Sequence, residues 1–130
     1  MSVDKFTGSH LLAEALGAEG VTNVFALAGD HILPLMDVMS EKGFRFIDTR
    51  HEQAAAHMAD AWGRITGELG VAVYTTPGLA NALPGLVNAS HSESPILSIS
   101  GSADLGKLGS GAMQEFDQVG MAKPTTKAAW

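Results

Sequence analysis

Glu52 is the one carboxylate at the helix start in the stretch Asp48-Thr49-Arg50-His51-Glu52-Gln53-Ala54-Ala55-Ala56, where a strand pattern gives way to a helix pattern. A carboxyl group there can take or give a proton at a ligand. The carboxyl ends of parallel strands, with the first turns of the helices that follow, are where open α/β sheets hold their ligands. Alanine follows Glu52 almost without interruption, so a neighbouring element can pack closely behind it. His31 occupies a comparable place, after Gly29-Asp30 at the end of another apolar run. Its spacing fits two roles equally, a crevice histidine or a helix-capping neighbour of Asp30. Thr75-Thr76-Pro77-Gly78-Leu79-Ala80-Asn81 ends a third run with a turn whose backbone could approach a flat ligand, or could be a plain turn. Gln114-Glu115-Phe116-Asp117 follows a glycine-rich loop, where a polar pair fits either a site or a solvated helix start.

These residues need elements to position them, and the apolar periodicity supplies the elements. Leu11, Leu12, Ala15 and Leu16 form one stripe of a helix over 7–19, stopped by Gly20. Val24–Leu27 is a short run of buried-strand type, and Ile32, Leu35, Met36 and Met39 fall at helical spacing over 32–40. Pro34 suits the first turn of that helix and Gly43 follows its end. A strand is expected over 44–49, a helix over 52–66 ending at Gly67, and a strand over 71–75. Pro77-Gly78 reads as a turn, 79–90 as a helix, and 96–99 as a strand. Strands separated by helices of this length imply right-handed βαβ units, and so a parallel sheet with helices on both faces. Gly101, Gly106, Gly109 and Gly111 mark a flexible loop. Residues 125–130 read as the beginning of a further strand, so the pattern is that of one α/β domain, 1–130, expected to stop before it is complete.

Composition removes several function classes. The net charge of -6, with eight scattered Lys and Arg, gives no electrostatic case for nucleic acid or anionic lipid. With no cysteine, disulfides, thiolate catalysis and cysteine-bound zinc are excluded, in agreement with a cytoplasmic home. No run approaches the ~20 apolar residues of a spanning helix, and residues 1–8 have no apolar core of a signal peptide. After Val24–Leu27 the chain offers one glycine where a dinucleotide fingerprint needs three, and Gly106-Lys107-Leu108 lacks the Walker pattern. His51 and His57 are six apart, about 240° around a helix, so they do not form a zinc-protease pair with Glu52. His57 then reads as an ordinary helix residue, and His10 and His91 as surface or packing residues without company.

Taken in order, several motifs resemble the pyrimidine-binding domain of thiamine diphosphate enzymes, in the branch containing acetolactate synthase and benzaldehyde lyase. They are Val24-Phe25-Ala26-Leu27-Ala28-Gly29, Arg50-His51-Glu52-Gln53-Ala54-Ala55-Ala56-His57-Met58-Ala59-Asp60, Arg64-Ile65-Thr66-Gly67, Pro77-Gly78-Leu79-Ala80-Asn81, Gln114-Glu115-Phe116-Asp117 and Met121-Ala122-Lys123-Pro124-Thr125-Thr126-Lys127. The resemblance covers about Gly8 to Trp130, and implies that the parts missing from the domain are its last helix and strand.

It implies that Glu52 is the cofactor-activating acid. In the family a glutamate hydrogen-bonds the pyrimidine ring nitrogen and favours the imino tautomer that leads to carbanion chemistry at the thiazolium. It further implies that Thr75, Pro77 and Asn81 line the pyrimidine, and that Gly29, His31 and Gln114 face the substrate. His31 matches a histidine of benzaldehyde-lyase-like members, where acetolactate synthases usually carry a small residue. Family members bind the diphosphate through Mg²⁺ on a second domain marked by Gly-Asp-Gly, a triplet found nowhere in this chain. The implied partners are therefore a diphosphate-binding domain or subunit, a second pyrimidine-binding domain, and a 2-oxo acid or aldehyde substrate. A non-catalytic binding or assembly module is the alternative reading. Two departures stand out: Thr75-Thr76-Pro77-Gly78 is one residue shorter than the usual family turn, and Asp30 replaces a customary Gly or Ala beside His31.

Overall fold

The three central apolar runs and the run at 44–49 become four parallel strands in the computed structural model, which describes residues 6–130. Chain order is α1 (Gly8–Ala18), β1 (Asn23–Ala26), α2 (Leu33–Glu41), β2 (Arg45–Asp48), α3 (Glu52–Thr66), β3 (Gly70–Tyr74), α4 (Thr76–His91), β4 (Ile96–Ser100) and α5 (Gln118–Ala122). The sheet order is β2-β1-β3-β4. Val24 of β1 lies opposite Phe46 on one side and Val71 on the other, and Gly70 opens the β3 pairing opposite Ile96. All five β3 residues are buried, as expected for a central parallel strand covered on both faces.

Strand alternation divides the core. Val24, Ala26, Val71 and Val73 face α1 and α2, where Leu16, Leu35 and Met39 close one cluster. Phe25, Ala72 and Tyr74 face the opposite way, against Ala55, Ala59, Leu79, Ala82 and Leu86 of α3 and α4. Both faces are thus covered, and the expected α/β class stands. Among the described residues no helix is long and apolar enough to cross a membrane.

The helices α3 and α4 run side by side in parallel, and small residues let them approach. A methyl group on Gly85 would come within 2.6 Å of the Ala56 Cβ. Asp60, only 3% exposed, locks the pair further along. Its carboxylate accepts hydrogen bonds from Arg64 Nε (2.8 Å) and a second Arg64 guanidinium nitrogen (2.7 Å), from Asn88 (2.7 Å) and from Ser94 (2.5 Å). The Arg64 bond foremost, with those of Ser94 and Asn88, holds the Asp60 carboxyl below its ordinary value of 3.8, against the opposing effect of burial. A depressed folded value means that this contribution is complete above the unfolded value and disappears as pH falls through the folded one. Asp60→Ala is expected to cost about 2–3 kcal/mol at neutral pH by orphaning Asn88 and Ser94. The difference from wild type should shrink below pH 3.8 in urea titrations; a pH-independent difference would count against the charged network.

Four expectations need correction. Pro77-Gly78 is no turn: α4 begins at Thr76, and proline sits in its first turn, where its missing N–H costs nothing. Residues 125–130 form no strand, because the Thr125 and Thr126 hydroxyls both donate to the Ala122 carbonyl, at 2.9 and 3.0 Å, and turn the chain. The glycine loop is tied down rather than free. The Glu115 carboxylate accepts from the backbone N–H groups of Gly109, Gly111 and Ala112, which hold its carboxyl below the usual range. Finally, His10 does have company, since its Nδ1 accepts from the Thr7 backbone N–H at 3.2 Å at the start of α1.

Candidate active site

The strand order reverses between β1 and β3, and the residues singled out from the sequence gather at the carboxyl ends of the strands. Glu52 opens α3, after His51, whose Nδ1 accepts from the Gln53 N–H at 3.2 Å and caps the helix. Its side chain is half-buried rather than buried. Asn81 of α4 donates from Nδ2 to Glu52 Oε2 at 2.9 Å. Gly78 makes this position possible, because a methyl there would lie 2.7 Å from Glu52 Cγ and 3.0 Å from Oε1. Oε2 thus accepts from Asn81, while Oε1 has no hydrogen-bond partner among the described residues. Behind it, burial pushes the Tyr74 phenol up to about 12, so it stays neutral and meets Ser98 Oγ at 2.5 Å.

A second group lies on the other side of the α4 start. Gly29 presses so closely on the Thr75 methyl that no side chain fits between them. The Thr75 hydroxyl reaches Gln114 Oε1 at 3.3 Å, across 39 positions of sequence. Gln114 itself is exposed and adopts a left-handed backbone (φ 61°), a conformation that costs a non-glycine residue energy. His31 lies in a 3-10 turn, Asp30–Ile32, and is half-buried. It lines a cleft of about 340 Å³ with Ala103, Asp104, Lys107, Ser110, Ala112 and Met113. No hydrogen bond joins Glu52 to His31 or Gln114 among the described residues; the link runs through α4, with Asn81 on one side and Thr75 and Thr76 on the other. Pro77 is exposed at the same edge.

A family model described as thiamine pyrophosphate enzyme, N-terminal TPP binding domain, matches residues 6–121. The chain belongs to this family. It is 43% identical over 121 residues to 2-hydroxyacyl-CoA lyase 2 of Danio rerio, covering 92% of this chain and 20% of that protein. It is 40% identical over 121 residues to the probable acetolactate synthase large subunit of Methanocaldococcus jannaschii, again covering 92% of this chain and 20% of the relative. Acetolactate synthase large subunit IlvG of Mycobacterium tuberculosis is 38% identical over 121 residues, 92% of this chain and 22% of its own. This TPP-binding domain therefore spans about a fifth of the length of the curated relatives it matches.

Two residues of the TPP-binding domain escape a reading of the sequence. Thr76, 1% exposed, donates to the Gly101 carbonyl at 2.7 Å and touches His31 Nδ1 at 3.3 Å. Gln118 also donates to the Gly101 carbonyl, at 3.1 Å. Thr76 carries a usable signal, a second hydroxyl just past a strand end. Gln118 carries none, because its contact is made by a loop fold across 17 residues.

Proposed function

We propose that this chain is the pyrimidine-binding half of a thiamine diphosphate enzyme that makes or breaks carbon–carbon bonds in 2-oxo acids or acyloins. The observation that carries the reading is the posture of Glu52. One oxygen is held by Asn81, the stem is packed on Gly78, and the other oxygen has no hydrogen-bond partner among the described residues, at the switch point of the sheet. Such a carboxyl fits a pyrimidine ring nitrogen: Oε1 would hold or return one proton there, while Asn81 and Gly78 keep it in place. When bound, the cofactor supplies a thiazolium carbon that adds to carbonyls and stores the resulting electron pair.

The remaining roles follow from position. Thr75, Pro77 and Asn81 line the pyrimidine, while Gly29, His31 and Gln114 face the substrate. The cleft beside His31 is where an aldehyde or 2-oxo acid would enter. The presence of His31 favours lyase or carboligase chemistry over acetolactate formation. In this reading the diphosphate and its Mg²⁺ would be held by a separate diphosphate-binding domain or subunit, as the family resemblance implies. The complete site then forms between domains, in at least a dimer.

Calorimetry tests this division of labour. Thiamine diphosphate with Mg²⁺ is expected to bind this chain alone weakly, and at least about a hundredfold more tightly, roughly 2.7 kcal/mol, once a diphosphate-binding partner is present. Tight binding to the chain alone would overturn the assignment.

A further inference from the structure

The Thr76 hydroxyl has a single proton, and its two neighbours decide where that proton goes. The Gly101 carbonyl can only accept, and at 2.7 Å it takes the proton. Toward His31 Nδ1, at 3.3 Å, Thr76 Oγ1 can therefore only accept, so a hydrogen bond there requires the ring to carry its hydrogen on Nδ1. Thr76 is 1% exposed and belongs to the first turn of α4, so the hydroxyl cannot swing to water. Gly101 completes the seat, because a methyl there would lie 2.6 Å from the His31 Cβ and force the ring away.

From these contacts we infer that Thr76 is a positioning residue that fixes the Nδ1–H tautomer of His31. That tautomer leaves Nε2, which has no partner among the described residues, as a proton acceptor at the cleft wall. The inference rests on the reading of His31 as a substrate-facing residue. It adds the direction of proton flow: a substrate hydroxyl beside His31 would give its proton to Nε2, while Nδ1–H stays with Thr76. The ionisable neighbours at the cleft are Asp104 and Lys107, which pair with each other at 3.1 Å, and Asp30 precedes the ring in sequence.

Two readouts test it. In ¹⁵N NMR of the histidine rings, at a pH where His31 is neutral, the 130-residue chain should show His31 protonated at Nδ1. Thr76→Ser should keep that pattern, and Thr76→Val should shift it toward the Nε2–H form, which neutral imidazoles prefer in water. Backbone amide spectra show whether each variant is folded, and the serine variant retains a test should the valine variant unfold. In the assembled enzyme, Thr76→Val should lower kcat by about tenfold or more with little change in KM, with serine restoring it. An Nε2–H ring in the unaltered chain, or a Thr76→Val ring unchanged from it, overturns the inference. The tautomer is read without turnover, so its failure is distinct from failure of the functional reading, which stands on Glu52.

Discussion

Glu52→Gln is expected to lower turnover by about a hundredfold or more when this chain is assembled with a diphosphate-binding partner, the range for a lost proton-transferring group. The substitution preserves shape. A glutamine carbonyl oxygen can still accept from Asn81 Nδ2, and its stem still packs on Gly78. What disappears is the ability of the second oxygen to hold and return a proton. Folding stability should therefore change by less than about 1 kcal/mol, as urea unfolding would show. A loss below about tenfold, roughly 1.4 kcal/mol of barrier, would argue against the proposed role.

Gly78→Ala should separate stability from activity in a different way. The position is helical, so alanine is intrinsically favoured there by about 1 kcal/mol. Yet the added methyl would meet Glu52 Cγ at 2.7 Å and Tyr74 Cβ at 2.9 Å. Tyr74 is fully buried and hydrogen-bonded to Ser98, so the half-buried Glu52 is the side chain that gives way. Displacing its carboxyl from Asn81 by about 1 Å is enough to cost on the order of a hundredfold in rate. The thermal unfolding midpoint should fall modestly, because moving Glu52 does not relieve the 2.9 Å contact with Tyr74 Cβ, while kcat falls far more. Unchanged turnover would mean that the Glu52 posture is incidental to the chemistry.

Much of this arrangement is legible in residue order, and the exceptions have physical causes. The helix Glu52–Thr66 can be read at both ends, because alanine periodicity starts after His51 and Gly67 closes it with φ at 73°. The two-faced sheet follows from alternating runs, whose spacing reports burial directly. Pro77-Gly78 misleads because the same dipeptide serves a turn and a first helical turn, and only the partners of Thr76 decide between them. The 125–130 stretch misleads because threonine favours strands locally, whereas here two hydroxyls prefer the Ala122 carbonyl.

Contacts across the sheet are harder to foresee. Glu52 and Asn81 meet over 29 positions, and His31 and Thr76 over 45, because β1, β2 and β3 are neighbours in space. Local periodicity holds no information on such pairs; strand order does. The Asp60 network has the same character, with Asn88 and Ser94 lying 28 and 34 positions away. It joins α3 to α4 toward the end opposite the meeting of Glu52 with Asn81.

The direct measurement is a cycle of two enzymes and two cofactors. Turnover is compared for the unaltered chain and its Glu52→Gln variant, each with thiamine diphosphate and with an analogue whose pyrimidine ring nitrogen is replaced by carbon. If Glu52 acts through that nitrogen, the analogue is slow with either form and the substitution adds no more than about threefold. A full hundredfold loss on the analogue as well would show that Glu52 acts elsewhere.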